Sequence, residues 1–178
     1  RQVNMSNRYI IFFNLGTVEA GLYAAASKLP AIINLASVIF QQAWQIAASK
    51  EYDDKCSRVF FSNVFKCYSA GILTFGSFVI CSSDFLAVLM LKNDFINAKN
   101  MLPLLILTAI INCYSIYFGT FYTAFKKNIM VMISTIIGAI INIAISLFFI
   151  DSYGVWACVI GSIICYMVIV LMRIYDTN

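Results

Sequence analysis

Seven residues between positions 23 and 45 have the types and spacing to build a polar surface inside an otherwise apolar segment. They are Tyr23, Ser27, Pro30, Asn34, Ser37, Gln41 and Gln45. On a helix turning 100° per residue they fall within about an 80° arc. Three carboxamides on one face are expensive to point at hydrocarbon, so the face must meet protein or water. Two readings are open. The face lines an aqueous cavity, or its groups hydrogen-bond to neighbouring helices as structural glue worth about 0.6 kcal/mol each. That the stripe runs the length of the helix favours the cavity. Three cations, Arg8, Lys28 and Lys66, sit in or beside apolar runs. Each either meets an anion or snorkels to the headgroups as an interface anchor.

Catalytic chemistry finds few tools here. The chain has no histidine, so the commonest general base and the serine–histidine and cysteine–histidine nucleophile pairs are missing. No carboxylate lies in the middle of an apolar run; Asp84 and Asp151 stand at ends. No paired-carboxylate site, glycine-rich phosphate loop or nucleotide motif is present, so no catalytic residue and no enzyme activity are expected. The six cysteines (Cys56, Cys67, Cys81, Cys113, Cys158 and Cys165) form no CxxC pair. They read as free thiols packing as small apolar groups, with no metal site and no cofactor.

The elements that must position these residues follow from composition. The chain is 62% hydrophobic and 11% charged, with a mean hydropathy of +0.87, whereas a soluble domain is about 25% charged. A chain of 178 residues has too little interior to hide that much apolar surface from water, so lipid must cover it. Five stretches lack Asp, Glu, Lys and Arg: 29–49, 67–83, 103–125, 128–150 and 152–172. About 20 helical residues cross roughly 30 Å of hydrocarbon. The expected architecture is an all-α, polytopic integral membrane helix bundle, a single membrane domain over 1–178. Five complete transmembrane helices are expected near 21–49, 61–83, 102–125, 129–150 and 154–173, preceded by the tail of a sixth near Val3 to Phe13. Barrel strands are disfavoured, because the runs exceed the 9–11 residues a tilted strand needs.

The connections carry their own signals. Asn14 to Thr17 reads as a turn, with Thr17 as N-cap and Glu19 in the first turn. Pro30 should kink its helix unless the helix begins there. Pro103 suits a first helical turn. Phe85 to Leu91 reads as a short interfacial helix. Lys126-Lys127 and Asp151 to Gly154 are tight links between antiparallel neighbours. Lys50, Lys55, Arg58, Lys66, Lys126, Lys127 and Arg173 collect on one side, and Lys28, Lys92 and Lys99 on the other. The positive-inside rule makes the first side, and the C-terminus, cytoplasmic. The net charge of +4 reflects these orientation signals and does not point to nucleic acid. The chain opens on Arg1 without Met and reads as a piece of a longer polypeptide, with no secretory signal peptide visible.

Other spans have stripes of their own. Asn63, Lys66, Ala70, Thr74 and Ser77 share one arc, and Thr108, Asn112, Ser115, Gly119 and Thr123 share another; neither is assigned to a cavity or to packing. Gly138, Asn142 and Ser146, and Gly154, Cys158, Gly161 and Cys165, are mostly small and fit close helix packing.

The string Gly21-Leu22-Tyr23-Ala24-Ala25-Ala26-Ser27-Lys28-Leu29-Pro30, followed by Phe40-Gln41-Gln42-Ala43-Trp44, resembles bacterial polysaccharide biosynthesis proteins of the O-antigen and capsule flippase type. These belong to the multidrug/oligosaccharidyl-lipid/polysaccharide exporter superfamily. Phe118 to Ala124 before Lys126-Lys127, then Gly138 to Ile143, then Tyr153-Gly154-Val155, fit the same pattern. Each motif alone is weak, but their order and spacing cover nearly the whole chain.

The resemblance implies a two-lobe transporter, of which this chain is the C-terminal lobe without most of its first helix and without its N-terminal partner lobe. It implies a multi-pass location in the bacterial cytoplasmic (inner) membrane. The implied activity is translocation of undecaprenyl-diphosphate-linked oligosaccharide units, a transport step in surface polysaccharide biosynthesis, with the lipid-linked oligosaccharide and membrane lipid as partners. A groove of carboxamides and hydroxyls matches sugars, and cations offset a diphosphate. On that expectation Tyr23, Asn34, Ser37, Gln41 and Gln45 face sugar, while Arg8, and less directly Lys28 and Lys66, contact phosphate. The competing expectations are a multidrug exporter of the same superfamily, or a segment of a membrane polysaccharide polymerase or acyltransferase.

Overall fold

The computed structural model describes residues 2–50, 57–83, 85, 100–124 and 128–177. Among them the chain is all-helical, without strands: α1 Gln2–Leu15, α2 Thr17–Ala26, α3 Lys28–Lys50, α4 Ser57–Cys81, α5 Leu102–Ala124, α6 Asn128–Tyr153 and α7 Val155–Thr177. The proposed interfacial helix (beyond Phe85) and the Lys126-Lys127 link lie outside the described residues. Four helices, α4 to α7, are long and apolar enough to cross a membrane, and the pair α2–α3 is a fifth candidate if counted as one bent span.

The span expected over 21–49 is bent near Pro30, as expected of that residue, and the structure places the break at Ser27. The axis turns by 43° between Ala26 and Lys28. The cause is Pro30, whose ring clashes with the carbonyl four residues back, that of Ala26, and whose missing N–H cannot close a helical bond to it. Breaking at Ser27 places Pro30 in the first turn of α3, where the missing donor matters little. The Ser27 hydroxyl caps the break by donating to the Tyr23 carbonyl at 2.6 Å. A correction concerns the start of α2. Gly16, with φ of 94°, is the cap residue, no side-chain cap bond forms, and Thr17 is already helical. A Cβ-bearing residue rarely adopts that φ, so glycine makes the sharp turn.

The inner helices are α5 and α7, with 56% and 50% of their spans buried; α4 and α6 are at 17% and 28% and form the outer faces. Paired contacts fix the directions. Asn34 meets Asn112 and Gln45 meets Thr123, a constant offset, so α3 and α5 run parallel with α4 returning between them in sequence. α6 and α7 are antiparallel, joined through Gly154 alone with φ of 55°. They approach closely because a Cβ on Gly138 would fall 2.6 Å from Ile169, and one on Gly161 would fall 3.1 Å from the Ser146 hydroxyl. The small-residue stripes of both helices therefore serve packing. A core of Ile11, Leu22, Tyr23, Leu102, Val155 and Val159 joins α1, α2, α5 and α7. An aromatic core of Phe40, Trp44, Phe65, Tyr68 and Tyr117 joins α3, α4 and α5. Cys113, Cys158 and Cys165 are buried free thiols, whereas Cys67 and Cys81 lie free on the outside of α4.

Candidate functional site

The polar stripes of α3 and α5 face each other. The Asn112 amide donates to the Asn34 side-chain oxygen at 2.8 Å, and the Gln45 amide donates to the Thr123 hydroxyl at 3.1 Å. Between these two pairs, and against α6 and α7, lies a cavity of about 400 Å³. Its polar lining is Gln41 from α3, Asn112, Ser115 and Thr123 from α5, Thr135 from α6, and Tyr166 and Arg173 from α7; Gly119, Ile116, Val131, Ala139 and Ile169 complete the wall. The volume is within the range of small-molecule sites. A narrow pocket of about 10 Å³, lined by Ser27, Pro30, Asn34, Thr108, Asn112 and Tyr166, continues the polar surface toward the α2–α3 break. It shares Asn112 and Tyr166 with the larger cavity and has room for about one water molecule.

The stripe read from the sequence divides between two surroundings. Gln41 and Asn34 line the cavity and the narrow pocket, and Gln45 reaches across to Thr123. Ser37 is buried against α4: its hydroxyl lies 2.6 Å from the Tyr68 hydroxyl. Tyr68 in turn donates to the Cys113 carbonyl at 3.1 Å, so Ser37 is the donor to Tyr68. Tyr23 lies before the break, fully buried, and its hydroxyl accepts from the Asn7 amide at 3.3 Å. The 43° turn removes Tyr23 from the helix to which the arc was fitted.

Arg8, Lys28 and Lys66 are all exposed, on α1, α3 and α4, and none of them lines the cavity. Arg8 borders an open apolar groove with Met5, Tyr9, Phe12 and Phe13. The stripe containing Lys66 points outward throughout: Asn63, Lys66, Ala70, Thr74 and Ser77 are exposed.

The cation at the cavity is Arg173, only 6% exposed. Sequence reading assigned it to the charged margin of the last span. The available signal was its face. Cys158, Gly161, Cys165, Ile169 and Arg173 recur every three or four residues, so Arg173 continues the packed face of α7. Its Nε donates to the Ser134 hydroxyl at 3.2 Å, Nη2 to the Thr135 hydroxyl at 3.2 Å, and Nη1 to the Ser115 carbonyl and hydroxyl. Its own carbonyl accepts from the Tyr122 hydroxyl at 2.9 Å. A Cβ on Gly119 would fall 2.8 Å from Nη1, so glycine there makes room for the guanidinium.

A second polar cluster also escaped the sequence reading. The Asn7 amide donates to the Ser162 hydroxyl at 2.7 Å and to the Cys158 carbonyl at 3.1 Å, and the Asn142 amide approaches the Ser162 hydroxyl at 3.4 Å. These groups are 0–1% exposed and tie α1, α6 and α7 together. The partners of Asn7 lie on α2 and α7, and spacing within α1 could not name them.

Compared with known proteins, the chain matches no family model, no curated protein and no solved structure.

Proposed function

We propose that this chain is the C-terminal lobe of a two-lobe membrane transporter of the polysaccharide flippase type. It has no enzymatic activity of its own and moves polyprenyl-diphosphate-linked oligosaccharides from the inner to the outer leaflet of the bacterial cytoplasmic membrane. In this reading α2–α3 and α4 to α7 are five spans, α1 is the end of a sixth, and the C-terminus is cytoplasmic. One observation carries the reading. A cavity of about 400 Å³, whose lining sets two carboxamides, several hydroxyls and a guanidinium among Ile116, Val131, Ala139 and Ile169, lies among helices apolar enough to be covered by lipid. A sugar headgroup cannot cross hydrocarbon with its hydroxyls unpaired, because each buried unpaired hydroxyl costs roughly 2–7 kcal/mol. Groups that both donate and accept offer it replacements for water. Among the described residues the cavity's lining includes a cation and no carboxylate, which disfavours the export of cationic drugs.

Accessibility of single cysteines tests the reading, in the native protein after its own cysteines are replaced. Asn34→Cys, Gln41→Cys, Gln45→Cys and Thr123→Cys should react with a membrane-impermeant thiol reagent, and lipid-linked oligosaccharide should protect them. Leu35→Cys, Ile39→Cys and Ala43→Cys, on the outer face of α3, should stay unlabelled. Equal labelling of the two sets, or none of either, would remove the aqueous path on which the reading stands.

A further inference from the structure

Arg173 lies one turn from the end of α7, where a long cationic side chain ordinarily extends outward to water or headgroups. It turns inward instead. Its carbonyl accepts from the Tyr122 hydroxyl, whereas its Nη1 reaches the carbonyl and hydroxyl of Ser115, seven residues earlier on α5. The guanidinium is therefore directed into the bundle, where it borders the 400 Å³ cavity on one side and a second cavity of about 280 Å³, shared with Asp176, on the other. Gly119 clears its place.

The partners described for it are of two kinds. The Ser115 carbonyl is a fixed backbone acceptor. Three hydroxyls, those of Ser115, Ser134 and Thr135, each lie at 3.2 Å, the long end of the hydrogen-bond range. Two of these hydroxyls already have bonds of their own, because Thr135 donates to the Val131 carbonyl at 2.6 Å and Ser134 to the same carbonyl at 3.1 Å. Neither is orphaned if the arginine turns away. An oxyanion entering the cavity would offer the guanidinium charge-assisted bonds, shorter and roughly twice as strong as neutral ones. A planar fork of five donors suits a phosphate group in particular. We propose that Arg173 is the anion-holding residue of the cavity. It exchanges its long contacts to Ser134 and Thr135 for the oxygens of a phosphate ester, while the Ser115 carbonyl keeps one side of the guanidinium in place. Resting on the transport reading above, this moves the diphosphate contact from Arg8, Lys28 and Lys66 to Arg173, beside the carboxamides that would take the sugar.

The test is equilibrium binding to the native protein in lipid nanodiscs, with inorganic pyrophosphate, farnesyl diphosphate and farnesol as probes. Both diphosphates should bind if a free anion suffices, and only farnesyl diphosphate if the lipid is needed; farnesol should bind at least about tenfold more weakly. Arg173→Gln should lower diphosphate affinity by about tenfold or more, and Arg173→Lys by less, since it keeps the charge and loses the fork. Arg8→Gln and Lys28→Gln should change it less than about twofold. Ser37→Ala, away from the cavity, should leave binding intact and lower the melting temperature, whereas Gly119→Ala should weaken binding by crowding the guanidinium. These two variants keep the arginine and decide the matter if Arg173→Gln does not fold. Wild-type protein that binds no diphosphate, undiminished binding in Arg173→Gln or Gly119→Ala, or loss of binding in Arg8→Gln instead, would each overturn the proposal. Oligosaccharide-lipid transport in vesicles separates the two claims. Arg173-dependent diphosphate binding without transport would sink the transport reading alone, and normal transport by Arg173→Gln would sink this inference alone.

Discussion

Two buried polar clusters lie on the same face of α7, three turns apart, and differ in what adjoins them. Around Ser162, the side chains of Asn7, Tyr23 and Asn142 and the Cys158 carbonyl close on one another with no more than 1% exposure. Around Arg173, the side chains of Ser115, Ser134 and Thr135 hold a cation at the edge of a cavity of about 400 Å³. The first joins four helices, α1, α2, α6 and α7, and its side chains are almost wholly shielded. The second joins three helices and borders open space. In a bundle of helices apolar enough to cross a membrane, a buried polar group is therefore not in itself a sign of a binding surface. Adjoining volume separates glue from site, because a group enclosed by protein is not reached by a substrate even where an acceptor is left over, as at the side-chain oxygens of Asn7 and Asn142.

The contrast can be broken first at its glycines. Gly161→Leu drives a side chain into Asn142 and Ser146, whose atoms lie 3.1–3.3 Å from the Cβ position. It should destabilise the protein by about 3 kcal/mol, read as a lowered melting temperature in detergent. Gly119→Ala meets only the far end of Arg173, which has open space beside it, and should cost less than about 1 kcal/mol. Equal losses would erase the distinction. At the next level, Asn7→Leu removes the donor to Ser162 and Cys158 and should cost about 1–2 kcal/mol. Gln41→Leu should change stability by less than about 0.5 kcal/mol while reducing vesicle transport several-fold, so the two substitutions should separate stability from activity. Ser37→Ala removes the donor to Tyr68 and should cost about 1 kcal/mol with transport unchanged, since Ser37 lies away from the cavity. The smallest effect is expected for Ser146→Ala. The Ser146 hydroxyl is buried without a hydrogen-bond partner, so its removal should be neutral or slightly stabilising in the same melting assay.

Much of the fold was legible because lipid imposes a simple rule on sequence. Each span must be apolar over about 20 residues, and its ends are marked by the first charges or by Gly and Pro. The boundaries read for α5 and α6 fall within a few residues of the observed ones. The break at Ser27 was only half legible. Pro30 announced a disturbance, but steric conflict acts on the carbonyl four residues earlier, so the fracture falls before the proline. The site was less legible. The stripes of α4 and α5 are equally regular in sequence, yet the α4 stripe is exposed from Asn63 to Ser77, whereas Thr108, Ser115 and Gly119 of α5 are buried. An arc states that polar residues share a face and does not state what the face meets.

The sequence by itself determined that this chain is helical, suited to lipid and punctuated at Gly16, Pro30 and Gly154, because those properties arise from local sterics and from hydropathy summed over single segments. It also determined which polar residues travel together on α3 and α5. Only the tertiary structure decided that those two stripes run parallel against each other and that Tyr23 and Ser37 turn away into packed contacts. It alone decided that the buried cation beside the cavity is Arg173, with Arg8, Lys28 and Lys66 left on outer surfaces. Hydrogen-bond partners and the volume left between helices are properties of pairs and groups of helices, and no periodicity within one helix contains them.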